Sequence, residues 1–259
     1  MAETRTERLS SGDTEIVVAV TEGRAPGIMW LSGFRSDMTG DKAVTVAEWG
    51  AAHGQQVVRV DYRGHGASGG VFEELVLSDW LADATLAYET FCGAGTILVG
   101  SSMGGWLSLC LATRLYQEGT PAGGLVLIAP ATDFTERLMW PRLPDTIKQT
   151  ILREGKALLP SPYGDPYPIT KALFEDGRNH LLFGDAPIAT GCPIHILQGV
   201  QDEDVPHTHA LELVERLAQD DVVLTLVKDG DHRLSRPQDI ARLIAAVDGM
   251  AAHVAQATP

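Results

Sequence analysis

Apolar and polar positions along the chain follow two alternating rhythms. Short runs dense in β-branched and aliphatic residues predict strands: "TEIVVAV" (14–20), "GIMWL" (27–31), "QVVRVD" (56–61), "TILVG" (96–100), "GLVLIA" (124–129), "PIHILQG" (193–199) and "DVVLTLV" (221–227). Between them, stretches near 41–53, 78–92, 103–118, 206–218 and 237–250 space their apolar residues three and four apart, as helices with one buried face do. This alternation predicts an α/β fold, a mostly parallel sheet with helices on both faces.

Residues 133–187 break the rhythm. They hold seven prolines, with Pro130 just ahead, and the aromatics Phe134, Trp140, Tyr163, Tyr167, Phe174 and Phe183 among helix-like pieces such as "DTIKQTILREGKALL". The expectation is a cap or lid inserted into one domain, whose core comprises residues 1–132 and 188–259. A chain of 259 residues buries enough surface for a single large core.

Composition narrows the partners. With 34 acidic against 20 basic residues the formal charge is −14, which repels nucleic acid and anionic lipid. No apolar run is long enough to span a bilayer, so no stable membrane insertion is expected. The opening "MAETRTERLS" has no apolar signal region, and Glu3 and Glu7 suit a transit peptide poorly. The cytoplasm is the expected compartment, ahead of the mitochondrial matrix. Cys92, Cys110 and Cys192 form no Cys/His cluster, so neither a disulfide framework nor a metal is expected, and no cofactor is called for.

The chemistry centres on Gly100-Ser101-Ser102-Met103-Gly104, a complete G-x-S-x-G between a predicted strand and a predicted helix. In such a turn the central residue is strained, and glycines flank it because side chains there would strike the strand or helix. Ser102 is the expected nucleophile; Ser101 is a structural or pocket-lining hydroxyl. A serine needs a histidine base and a carboxylate to orient that base, each in a loop beyond a late strand. His232, in "KDGDHRLS", is the one histidine after the carboxylates that occupies such a loop. His207 and His209 open a helix and read as solvated, and His253 lies near the chain's end. Three carboxylates, Asp202, Glu203 and Asp204, follow "PIHILQG". Asp202 has the position best able to reach the site, Glu203 reads as solvated, and Asp204 remains an alternative or a helper. Backbone N–H groups of Met103 and of Phe34, in "SGFRSDMTG", are the expected oxyanion donors. Arg137 and Arg142 read as exposed charge, with pairing to a substrate carboxylate as the alternative. "DYRGHGASGG" (61–70) lacks a phosphate-loop Lys-Ser/Thr and reads as a tight loop with buried polar anchors.

Together these residues resemble the α/β-hydrolase superfamily. The resemblance is carried by Asp61, Arg63, Gly64, Gly66 and Ser68, by the Gly100–Gly104 elbow, by Gly199, Asp202, Val205 and Pro206, and by Asp231 and His232. More narrowly, "GSSMGGWLSL", "CPIHILQGVQDEDVP" and "GDHRLSRPQDI" are similar to animal mitochondrial enzymes that hydrolyse acyl glucuronides and S-palmitoyl proteins, and to their bacterial relatives. The resemblance implies serine esterase or thioesterase activity with Ser102, Asp202 and His232 as triad. The substrate is then a small-molecule ester or thioester with an apolar acyl or aryl group, or an acylated protein. Rival readings are a carbon–carbon bond hydrolase, an acyl transferase or a non-catalytic binding protein of the same fold. Ser102 in place of aspartate argues against a dehalogenase.

Overall fold

The apolar runs form one sheet. In the computed structural model, residues 3–161, 164–217 and 220–257 are described. The strands are β1 (Thr4–Ser11), β2 (Thr14–Thr21), β3 (Arg24–Leu31), β4 (Gln55–Asp61), β5 (Ile97–Ser101), β6 (Gly124–Ile128), β7 (Lys156–Ser161), β8 (Gly164–Thr170), β9 (Ile194–Gly199) and β10 (Val222–Val227). The helices are α1 (Asp41–His53), α2 (Leu77–Phe91), α3 (Met103–Gln117), α4 (Asp145–Glu154), α5 (Lys171–Gly177), α6 (His207–Arg216) and α7 (Pro237–Ala257). The sequence-predicted end of the fourth helix at residue 218, together with Pro162 and Tyr163, lies outside the described residues.

Eight strands pair in the order β1-β2-β4-β3-β5-β6-β9-β10. From β4 to β10 every pairing is parallel, while β2 runs antiparallel to both of its neighbours. Side chains of the central strands alternate between two cores, as the two-residue strand period requires. Met29, Leu31, Leu98, Leu125 and Leu127 pack with Trp80 of α2 and Trp106 of α3. Ile28, Trp30, Val99 and Val126 face the other way, onto Val46 of α1 and Val247 of α7. Because both faces are covered, β5 is apolar almost throughout, which is why it reads as a continuous run and not as an alternation.

Three features depart from the sequence pattern. The polar segment "TRTERLSS" forms β1, an edge strand paired in register with β2 from Thr4↔Thr21 to Ser11↔Thr14. Its alternation carries little apolar contrast, so only its partner identifies it. Ser11 Oγ at its end donates to Asp83 Oδ1 of α2 at 2.5 Å, and Asp83 is fully buried. Within residues 133–187, the helix-like piece "DTIKQTILREGKALL" divides. α4 stops where Gly155 adopts a left-handed φ of 83° and donates its N–H to Ile151 O, and the chain leaves as β7. β7 and β8 make a separate antiparallel pair, where prolines are tolerated because each strand has a free edge.

β5 is fifth of the eight strands, so its C-terminal end opens at the middle of the sheet. The loops after β5, β9 and β10 leave the same edge of this parallel array, where open α/β sheets place their ligands.

Candidate active site

Ser102 is the single residue between the end of β5 and the start of α3, with φ 55° and ψ −116°. Such a conformation in a residue with a Cβ costs about 1–3 kcal/mol and persists only when its surroundings fix it. Here they do: Ser102 N–H donates to Ile128 O at 2.8 Å, and Ser102 O accepts from Gly105 N at 2.9 Å and Ala131 N at 3.0 Å. The flanking glycines answer a steric demand. A Cβ on Gly104 would lie 2.0 Å from Leu31 O, and one on Gly100 would lie 2.3 Å from Gly104 O.

The structure brings three residues separated by 130 positions of chain into one hydrogen-bonded row. His232 Nε2 lies 3.0 Å from Ser102 Oγ, and His232 Nδ1 lies 2.8 Å from Asp202 Oδ2. An Nδ1–H donating to the carboxylate leaves Nε2 with a lone pair for the serine proton. The Asp202 side chain is inaccessible, with four donors around it. Oδ1 accepts the N–H groups of Asp204 at 2.9 Å and Val205 at 2.8 Å, and Oδ2 accepts Gln198 Nε2 at 3.1 Å besides His232. Glu203 and Asp204 are both exposed, and Asp204 contributes its N–H to the Asp202 carboxylate. The one cluster of potential metal ligands among the described residues is Asp202, Asp204 and His232. Asp202 and His232 already use their polar atoms in the row, so the cluster reads as hydrogen-bonded machinery.

Met103 opens α3, so its N–H has no acceptor one turn back and faces the helix N-terminus. The loop bearing Phe34 sits against the elbow: a Cβ on Gly33 would lie 3.2 Å from Ser101 O and 3.3 Å from Ser102 Cβ. Ser36 N–H closes that loop on Gly33 O at 3.0 Å, and Met38 N–H donates to the buried Asp61 Oδ1 at 2.7 Å. The Phe34 ring lies edge-on or tilted to Phe72, Trp80, Phe134 and Tyr167, with centroids 5.1, 5.8, 5.5 and 6.1 Å away. The 61–70 loop is anchored by Asp61, which also accepts Ala67 N at 2.9 Å, and by Arg63 paired with Asp83 at 2.9 Å. Burial pushes the Asp61 carboxyl above its ordinary range, against those N–H donors.

Several side chains depart from the sequence reading. His209 is buried, contrary to its reading as solvated: its ring packs on Phe183 at 4.9 Å and its Nε2 lies 2.9 Å from Thr132 O. Burial lowers its pKa. Arg142 donates from Nη1 to the carbonyls of Glu203 at 2.9 Å and Asp204 at 2.8 Å, tying the 133–187 segment to the loop that carries Asp202. Arg137 pairs with Glu212 at 2.6 Å. Gln198, with no exposed surface, was not singled out from the sequence. Its signal was a lone amide closing the apolar run "PIHILQG". A cleft of about 430 Å³ borders the Phe34 loop on its Arg35 side, between His65, Phe72 and Tyr167. Neither Ser102 nor His232 lines it.

The sequence profile of the alpha/beta hydrolase family matches residues 28–243, a span holding every residue of the row. The chain belongs to this family. Among alpha/beta hydrolases it is 32% identical over 231 residues to the human mitochondrial palmitoyl-protein thioesterase ABHD10, covering 88% of this chain and 74% of that protein. A solved structure from Agrobacterium vitis S4, provisionally named a hydrolase, matches at 45% identity and TM-score 0.90, covering 97% of this chain and 99% of that one. The mouse ABHD10 structure matches at 31% identity and TM-score 0.85, covering 95% and 98% respectively.

Proposed function

We propose that this alpha/beta hydrolase is a serine hydrolase that cleaves carboxylic esters or thioesters through an acyl-enzyme on Ser102. The observation that carries the reading is the row Ser102–His232–Asp202, assembled at a strained elbow over the N-terminus of α3. His232 Nε2 takes the hydroxyl proton as Ser102 Oγ bonds the carbonyl carbon, and the carbonyl π electrons move onto oxygen. The N–H groups of Met103 and Phe34 receive that oxyanion. Collapse of the tetrahedral adduct breaks the bond to the alcohol or thiol, which leaves with the proton from His232. A water molecule then repeats the sequence, giving up its proton to His232 and releasing the acid and the free serine. Asp202 holds the imidazole and supports its positive charge while it carries the proton.

Residues 133–187 act in this reading as the cap that chooses the acyl group. Phe134 and Tyr167 from that segment meet Phe34 of the oxyanion loop, and Phe134 also meets Trp106 at 5.5 Å. An aromatic lining favours apolar acyl or aryl groups; each buried methylene contributes about 0.8 kcal/mol, or roughly fourfold in kcat/KM. The ABHD10 relatives, named as palmitoyl-protein thioesterases, support a thioester of a long acyl chain as the first substrate to try, on a small carrier or a protein. Three free cysteines suit a reducing compartment, the cytoplasm or the mitochondrial matrix.

Ser102→Ala is the test. Turnover of p-nitrophenyl esters and acyl-CoA thioesters should fall by about 10⁴-fold, and Ser102→Ala/His232→Ala should be scarcely slower than either single variant. A fluorophosphonate should label Ser102. Near-normal turnover by folded Ser102→Ala refutes the proposal, and a chain-length series peaking at acetyl refutes the apolar acyl site.

A further inference from the structure

His65 lies outside the row, yet its ring makes two hydrogen bonds of opposite sense. Nε2 accepts the N–H of Arg35 at 3.2 Å, and Nδ1–H donates to Arg63 O at 3.1 Å. Arg35 directly follows Phe34 and has a φ of 58°, a left-handed conformation that a side chain makes costly. The loop therefore passes close to Ser102 at Gly33 and is tied at Met38 by Asp61 and at its strained point by His65. The ring is fixed in turn: it is 4% exposed and packs edge-on against Tyr62, Phe72 and Trp80, with centroids 5.5, 5.3 and 5.2 Å away.

We propose that His65 is a positioning residue for the reaction: as a neutral imidazole with its proton on Nδ1, it holds the Phe34 N–H in the conformation that receives the oxyanion. The inference rests on the function proposed above and adds to it a residue that touches neither substrate nor triad. Only one of the three protonation forms serves. With the proton on Nε2, or on both nitrogens, an N–H would confront the Arg35 N–H, and the left-handed turn would lose the acceptor that holds it. The surroundings favour the neutral form. Burial lowers the pKa of His65, the cation of Arg35 acts in the same direction, and the Arg63 carbonyl and the Asp37 carboxylate act against them. Tyr62, Phe72 and Trp80 pack uncharged rings against it, and Glu73 is the further carboxylate lining the cleft that His65 borders.

His65→Leu removes the acceptor, whereas His65→Gln restores an oxygen that the Arg35 N–H can reach and that does not titrate near neutrality. Removing an oxyanion donor outright costs about 10²–10³ in kcat; misaligning one should cost less. We expect kcat of His65→Leu to fall by about 10–100-fold with KM within threefold, and His65→Gln to recover most of it. At acid pH the wild type should lose kcat/KM more steeply than His65→Gln, because a proton on His65 Nε2 disables the turn and the glutamine cannot take one. Nitrogen-15 spectra of the wild type should show His65 with the proton on Nδ1 at pH 7.5. Ser102→Ala, assayed beside these variants, separates the two claims. If Ser102→Ala stays active, the functional reading falls and this one with it. If Ser102→Ala is inert while folded His65→Leu turns over normally, or if the His65 proton is on Nε2, only the positioning role falls.

Discussion

Replacing Asp202 with asparagine exchanges one carboxylate oxygen for an amide group at a site that presents only donors. Oδ1 faces the N–H groups of Asp204 and Val205, and Oδ2 faces Gln198 Nε2 and His232 Nδ1. If the new amide nitrogen turned to the backbone side it would meet two N–H groups, the buried one of Val205 among them, so it should occupy the Oδ2 position. There it meets the Gln198 amide and forces His232 to accept at Nδ1, moving the imidazole proton to Nε2. That proton then faces Ser102 Oγ, and the ring can no longer take the serine's own. Gln198 cannot relieve the clash by turning over, because its Nε2 also serves Gly199 O at 3.1 Å and Val205 O at 2.9 Å. One uncompensated donor pair costs about 1–3 kcal/mol, and a lost charge-assisted bond adds a similar amount. We therefore expect Asp202→Asn to be less stable by about 2–6 kcal/mol, with Tm lower by about 5–15 °C. The wrong tautomer should lower kcat by about 10⁴, the size of the equivalent change in serine proteases. Calorimetry, steady-state ester hydrolysis and nitrogen-15 spectra of His232 read the three effects separately. A folded Asp202→Asn with kcat within tenfold of wild type refutes the reasoning. Asp204→Asn should lose less than threefold, because Asp204 serves the row through its backbone N–H; a larger loss there would exchange the roles of the two carboxylates.

Gly104→Ala would place a methyl 2.0 Å from Leu31 O, so α3 or β3 must move by about 1 Å to reach normal contact. We expect a loss of about 2–3 kcal/mol and at least tenfold in kcat, whereas Gly249→Ala in α7, with nothing within 4 Å of the new methyl, should gain about 0.5–1 kcal/mol; equal melting temperatures would contradict this. Burial lowers the pKa of His65, His195 and His209, so below about pH 6.5 these three imidazoles bind more protons in the unfolded chain than in the folded one. Their contribution to stability is full above that pH and is lost as pH falls through it. Tm of His209→Gln should then drop less than wild type between pH 7.5 and 5. This comparison cancels the opposite effect of the buried Asp61, Asp83 and Asp133, whose raised pKa values favour the folded state on acidification. An equal or larger drop in the variant would count against a neutral buried His209.

The sheet was legible because its central strands are apolar on both faces and are separated by amphipathic helices. The positions of Ser102 and His232 were legible because the proposed chemistry asks for particular places: a serine on a strand-to-helix turn, and a histidine in the loop after the last strand. Asp202 was harder, since three adjacent carboxylates differ only in where the backbone points them. What distinguishes it in space is the donors of Asp204, Val205 and Gln198, and hydrogen-bond direction leaves no periodic trace in sequence. β1 and the β7–β8 pair stayed hidden for a related reason. Each is defined by the strand opposite it, and its own residues are polar or proline-rich. His209 shows the limit of reading exposure from a helix start. The face of α6 that carries His209 is covered by Phe183 and by the Thr132 carbonyl, neither of which the helix's own sequence announces.

β1 also changes where the molecule can be cut. Ser11 donates to one oxygen of Asp83; the other oxygen of Asp83 accepts the Arg63 N–H, and Arg63 O accepts the His65 Nδ1–H. Three side chains and the backbone of Arg63 thus relay a constraint from the outermost strand to the turn beside Ser102. A truncation that starts at β2 would leave every residue of the row in the chain and still free the buried carboxylate at the base of that relay. For expression, fusion or circular permutation, the first strand therefore belongs to the active part of the protein, although its own sequence is among the plainest in the chain.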